Sequence, residues 1–183
     1  MSIESREAAA ALSDIEDIVR RVRQSRIYQL ASLLLIMWGA LVFAANIGSF
    51  LWPRTAGYIW IAVNVAGIAG SFAISAFGQA RTGVRSFDGR ALAALLLFFA
   101  FGLFTCWLGH FGPRELGTFW PIYFMLMYTI AGLWVGKAFV AIGLSITALT
   151  LIGYFFVGPW FEPWMAFVNG GGLMLGGLWM RRS

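Results

Sequence analysis

Trp164-Met165-Ala166-Phe167-Val168-Asn169-Gly170-Gly171-Gly172-Leu173-Met174-Leu175-Gly176-Gly177-Leu178-Trp179 is the stretch that decides the fold, with Arg181 and Arg182 closing it off. In water that much glycine would dissolve a helix, because each one costs roughly 1 kcal/mol against alanine. In lipid the backbone has no competing partner. The helix therefore holds, and its glycines become flat contact surface. Gly172 and Gly176 form a small-xxx-small pair, and Gly132 and Gly136 form a second one earlier in the chain. Both pairs predict close helix packing, within one bundle or across a homo-oligomer interface.

The rest of the composition agrees with a membrane setting. Hydrophobic residues make up 60% of the 183 and charged residues 11%, with a mean hydropathy of +0.79. Soluble domains hold about half apolar and about a quarter charged residues. The length suits one bundle and no second domain. The net charge of +5 does not read as a nucleic-acid surface, because the arginines stand at the ends of apolar segments. Cys106 is the only cysteine, so no intrachain disulfide or thiolate metal cage is expected. The first apolar run begins near Ile27 and is too long for a signal-peptide core, so the first helix is expected to act as its own insertion signal.

Residues 1–26 form a separate cytoplasmic region. Ala8, Ala11, Leu12, Ile15, Val19 and Val22 recur at helical spacing, with Glu16 facing Arg20 and Asp17 facing Arg21 one turn on. Ser13-x-x-Glu16 fits a capping box. An amphipathic helix on the membrane surface or against the bundle is one reading. The other is a docking helix, through residues 5–26, for a cytoplasmic protein or a second copy.

Six apolar segments follow, at about 27–47, 57–77, 91–109, 118–136, 138–157 and 164–180, each near the roughly 20 residues a spanning helix needs. Trp52-Pro53, the polar run 78–90, Gly112-Pro113, Gly136-Lys137 and Gly158-Pro159 separate them. The expected fold is all-α, six transmembrane helices in three hairpins behind the N-terminal helix. With the N-terminus inside, Arg6, Arg20, Arg21, Arg23, Arg26, Arg81, Arg85, Arg90, Lys137, Arg181 and Arg182 all fall on the cytoplasmic side. Only Arg54 and Arg114 fall outside. The positive-inside rule then puts both termini in the cytoplasm and requires an even number of spans. The expected home is a plasma (cytoplasmic) membrane, taken as bacterial. Residues 91–137 and 138–182 also share an order of Gly-Pro turn, glutamate, Gly-Leu-Trp and basic charge. That order reads either as duplicated hairpins or as ordinary turn and interface chemistry.

No Asp, Glu, Lys, Arg or His falls inside a segment, whereas driven transporters use such groups at depth. The single histidine, His110, excludes a bis-histidine haem within one chain, and no metal-ligand spacing, phosphate loop or nucleophile motif is present. No cofactor and no metal are expected. An outer-rim cluster of His110, Arg114, Glu115 and Glu162 could do acid–base work, or could simply be solvated loop charge. Asn46, Asn64, Tyr128, Ser145, Thr147, Thr150 and Asn169 are polar at depth. Asn64 and Asn169, in the helices richest in small residues, read either as glue between helices or as ligand contacts. Aromatics crowd the outer end, Trp120 and Trp164 among them, as an interfacial belt or as an outward-opening pocket. The expected function is non-enzymatic, binding a hydrophobic ligand, a lipid or a partner protein. Asn64, Asn169, Tyr128, Trp120 and Trp164 are the ligand or pore candidates. A facilitative transporter or channel-like pore is the alternative, and an integral membrane enzyme using the rim cluster is the weaker one.

Overall fold

The computed structural model describes the backbone of residues 3–82 and 89–182, and side chains from Val22 onward except Arg23, Gln24, Arg26, residues 79–82 and residues 91–92. The side chains of the capping box and of the Glu16–Arg20 and Asp17–Arg21 pairs, and the loop holding Arg85, lie outside the described residues. All described elements are helical: α1 (Ile3–Leu51), α2 (Ala56–Thr82), α3 (Gly89–Leu108), α4 (Pro113–Val135) and α5 (Lys137–Phe156), then α6 (Phe161–Met165), a π-helical stretch (Ala166–Gly171) and α7 (Gly172–Arg182). The last three run on without a break and form one C-terminal rod.

Four helices are long and apolar enough to cross a membrane, at Ile27–Leu51, Pro53–Gly78, Pro113–Val135 and Lys137–Phe156. Ala93–Leu108 is apolar but shorter, and the π-helical stretch divides the last segment into short pieces. No break separates residues 3–26 from the first apolar run. Helical hydrogen bonding carries through all 49 residues of α1, a length of about 70 Å at 1.5 Å per residue.

Prolines and glycines set the ends. Pro113 opens α4, where its missing N–H costs nothing. Gly136 joins α4 to α5 with φ 155° and ψ 156°, a region that essentially glycine alone occupies. It therefore makes the turn, while Gly132 makes the contact: a Cβ there would stand 2.7 Å from the Val140 nitrogen.

Contacts order the helices in space as α2, α1, C-terminal rod, α5, α4, α3. Neighbours run antiparallel, so the turns at 52–55, 109–112 and 157–160 share one end of the bundle, the turn end. Gly136, Lys137, Arg181 and Arg182 share the other, the basic end. The rod is the wedge. A Cβ on Gly39 would stand 2.7 Å from the Gly170 carbonyl oxygen, and one on Gly170 would stand 2.7 Å from the Phe43 Cα. On the rod's other side Gly172 and Gly176 face Ile146 and Ile142 of α5. Near the basic end Tyr28 of α1 reaches Phe139 of α5, with ring centroids 5.8 Å apart. Leu35, Met125, Ile142, Leu173 and Met180 fill the core there. The flanks are thinner: 6% of the α2 span is buried, against 33% for the α1 and α5 spans.

Candidate functional site

The C-terminal rod carries the most unusual backbone in the molecule. Three glycines in a row after Asn169 weaken the ordinary helical ladder, and Ala166–Gly171 widens into a π turn. Such turns recur at functional sites. Asn169 lies in it, buried to 8% exposure, and its amide makes no hydrogen bond among the described residues. Ile146 lies opposite Gly172, and Gly153 opposite Trp164. Thr150 sits between those two contacts, so it is level with the π turn. Its hydroxyl is buried without a partner, as is that of Ser49 on α1. Buried polar groups left open in this way are rare and retain hydrogen-bonding capacity for something else.

Asn46 and Asn64, in the two N-terminal apolar helices, are satisfied locally. Asn46 donates to the Val42 carbonyl at 2.9 Å and Asn64 to the Trp60 carbonyl at 2.8 Å. Each bond runs back one turn on its own helix. Asn64 is exposed on α2, on the far side of α1 from α5, so it does not meet Asn169. The other three candidates belong to separate interfaces. Trp164 donates its indole N–H to the Leu149 carbonyl at 2.9 Å and covers Gly153. Tyr128 packs beside Phe139 toward the basic end. Trp120 belongs to an aromatic wall between α3 and α4, in which Phe98 stacks on Tyr123 at 4.2 Å and Trp120 rests on Phe99 and Phe124. The five residues line no common cavity.

The rim residues lie at the turn end, where their described contacts run to backbone groups and rings. Arg114, at the start of α4, donates to the Tyr154 carbonyl at 2.7 Å and the Gly158 carbonyl at 3.2 Å. Its guanidinium also lies over the Tyr154 and Phe161 rings, 5.5 and 5.2 Å from their centroids. It therefore caps the open carbonyls at the end of α5, which a cation suits. Glu115 folds back toward Gly112 at the start of its own helix. His110 is exposed with φ 49°. Its backbone N–H bonds the Trp107 carbonyl and that of Phe111 bonds Cys106, the pattern of a helix stop in which the left-handed residue is usually glycine. No ion pair joins these four side chains. Among the described residues no three His, Cys, Asp or Glu side chains could hold a metal ion together.

A groove of about 290 Å³ runs between α5 and the rod, lined by Ala141, Ile142, Ser145, Ile146, Leu149, Val168, Gly172, Leu175, Gly176 and Trp179. Ser145 is its one polar side chain. Gly172 and Gly176 are covered by Ile146 and Ile142, and the open part of the groove lies beside them, at Ser145, Leu149 and Leu175. Sequence reasoning singled out Gly172 and Gly176 as packing positions, and in the structure they face Ile146 and Ile142. It did not identify Gly39, Gly67 and Gly70 as contact points, nor the bond from the Trp38 indole to the Ser71 hydroxyl at 3.0 Å that ties α1 to α2. The spacing of Gly67, Gly70 and Ser71 is the signal that could have shown this.

No protein-family model, curated protein or solved structure matches the chain.

Proposed function

We propose that the chain is a multi-pass membrane protein of six spans with both termini in the cytoplasm, and that it binds a hydrophobic ligand or lipid. The observation that carries this is where apolar surface lies. Phe72, Phe101, Leu133 and Phe156 are 67%, 67%, 70% and 81% exposed, and exposed rings and leucines cover the flanks of α2, α3, α4 and α5. A monomer in water rarely shows apolar patches beyond a few hundred Å², whereas in a bilayer such surface is solvated by acyl chains. The described charges meanwhile stay at the two ends of the bundle. Because α3 and the rod run between the same two ends as the four long apolar helices, six spans and an even topology are supported. The groove beside Gly172 and Gly176 supports a seat for a ligand inside the apolar layer.

Native mass spectrometry of the full chain, purified gently from its membrane, tests the reading. The expected result is a retained adduct of defined lipid or small-molecule mass. A bare polypeptide under the mildest activation, with no adduct restored by added lipid, would remove it.

A second reading, a facilitative pore, is favoured by the unpartnered Ser49, Thr150 and Asn169 side chains. On that reading Asn169→Leu abolishes solute flux in liposomes. A folded variant with unchanged flux eliminates the pore.

A further inference from the structure

The groove between α5 and the C-terminal rod ends in positive charge. Along α5, Ala141, Ser145 and Leu149 line it at steps of four, and Lys137 lies one further step back on the same face. Along the rod, Gly172, Leu175 and Trp179 line it at steps of three and four, and Arg182 lies one turn beyond. The antiparallel register that sets Ile142 against Gly176 brings Lys137 level with Arg181. All three cations are exposed, and none makes an ion pair among the described residues. The two acids whose side chains are described, Glu115 and Glu162, stand at the turn end. An apolar trough thus runs from mid-bundle to the basic end, passes an indole, and opens between cations that have no ion-pair partner among the described residues.

We propose that this groove binds an anionic phospholipid of the cytoplasmic leaflet, one acyl chain lying along Ser145, Leu149 and Leu175 and the phosphate held by Lys137 and Arg182. The assignment rests on the ligand-binding reading above and specifies its ligand. The chemistry of the two ends carries it. The trough offers an acyl chain contact with Ile142, Ile146 and Leu175, with Ser145 the one hydroxyl in its lining. Trp179 sits where indoles favour the interface. Paired basic side chains at the cytoplasmic end of a gap between helices fit an anionic headgroup.

The test uses the purified full chain, mixed with equimolar phosphatidylglycerol and phosphatidylcholine of identical acyl chains and read by native mass spectrometry. Wild type is expected to carry phosphatidylglycerol in excess on the order of tenfold, from two basic side chains near the phosphate. Lys137→Gln/Arg182→Gln should bring the ratio close to one, and Arg54→Gln, at the turn end, should leave it unchanged. Ser145→Phe fills the trough from its exposed rim and should lower retention of both lipids. Equal retention of the two lipids by wild type, or a preference that survives the double substitution, overturns the anionic site and leaves ligand binding standing. Retention of neither lipid by wild type overturns both.

Discussion

In the C-terminal rod a Cβ at Gly170 would meet the backbone of Phe43, whereas in α3 a Cβ at Gly102 would meet only the ring tips of Trp120 and Tyr123. Both elements are apolar. One is wedged between α1 and α5 with main chains nearly touching, and the other leans on α4 through aromatic side chains with Phe101, Leu103 and Phe104 turned outward. The difference teaches that hydrophobicity does not mark the packed helix here. Lipid tails are as apolar as leucine, so a helix gains by association only where small residues allow close approach or polar groups bond across the gap. The rod has the glycines. α3 has the leucines and phenylalanines, and it stays at the edge.

The sharpest way to break this comparison is to add one methyl group to each side. Gly170→Ala must push two backbones apart and should cost roughly 3 kcal/mol, while Gly102→Ala displaces ring edges and should cost about 1 kcal/mol or less. Unfolding titrations in mixed micelles measure both, and equal costs would dissolve the distinction. Next in size is Arg114, whose two bonds to open carbonyls at the end of α5 predict a loss of about 2 kcal/mol for Arg114→Gln. Glu115→Gln should change stability little by the same assay. A comparable loss there would mean that the rim charges act together. The smallest effect is expected at the α1–α2 contact, where Trp38→Phe removes the bond to Ser71 and should cost about 0.6 kcal/mol. A double-mutant cycle with Ser71→Ala isolates that coupling.

Much of this contrast is legible in the sequence, and the rest is hidden for a physical reason. The helices and their turns at Pro53, Gly112, Gly136 and Gly158 follow from local chemistry. Partnership does not. Nothing near Gly39 tells that Gly170 will cover it, because the matching surface lies at the far end of the chain and both sides read only as apolar. Arg114 reads as a surface charge until the end of α5 is brought beside it. His110 reads as a candidate acid or base, and its left-handed backbone conformation, which ends α3, is invisible in residue type. The candidates for depth polarity divide the same way. Asn46 and Asn64 bond within their own helices, and only the structure separates them from Asn169, which does not.

The seating of α1 against the C-terminal rod also sets an order in time. A chain is made from its N-terminus, and contacts between distant segments form late. Until residues 166–177 emerge, the Ser32–Gly39–Phe43 side of α1 has no proper occupant, although α2 is already available for its other side. The α4–α5 hairpin can close on its own through Gly132 and Gly143, but the rod that ties it to α1 is missing until then. The arrival of the glycine-rich rod is the event that joins the α1–α2 hairpin to the α4–α5 hairpin. Chains stalled or cut before Gly170 should accumulate as insertion products that are helical, protease-sensitive and prone to borrow the missing rod from a neighbouring copy.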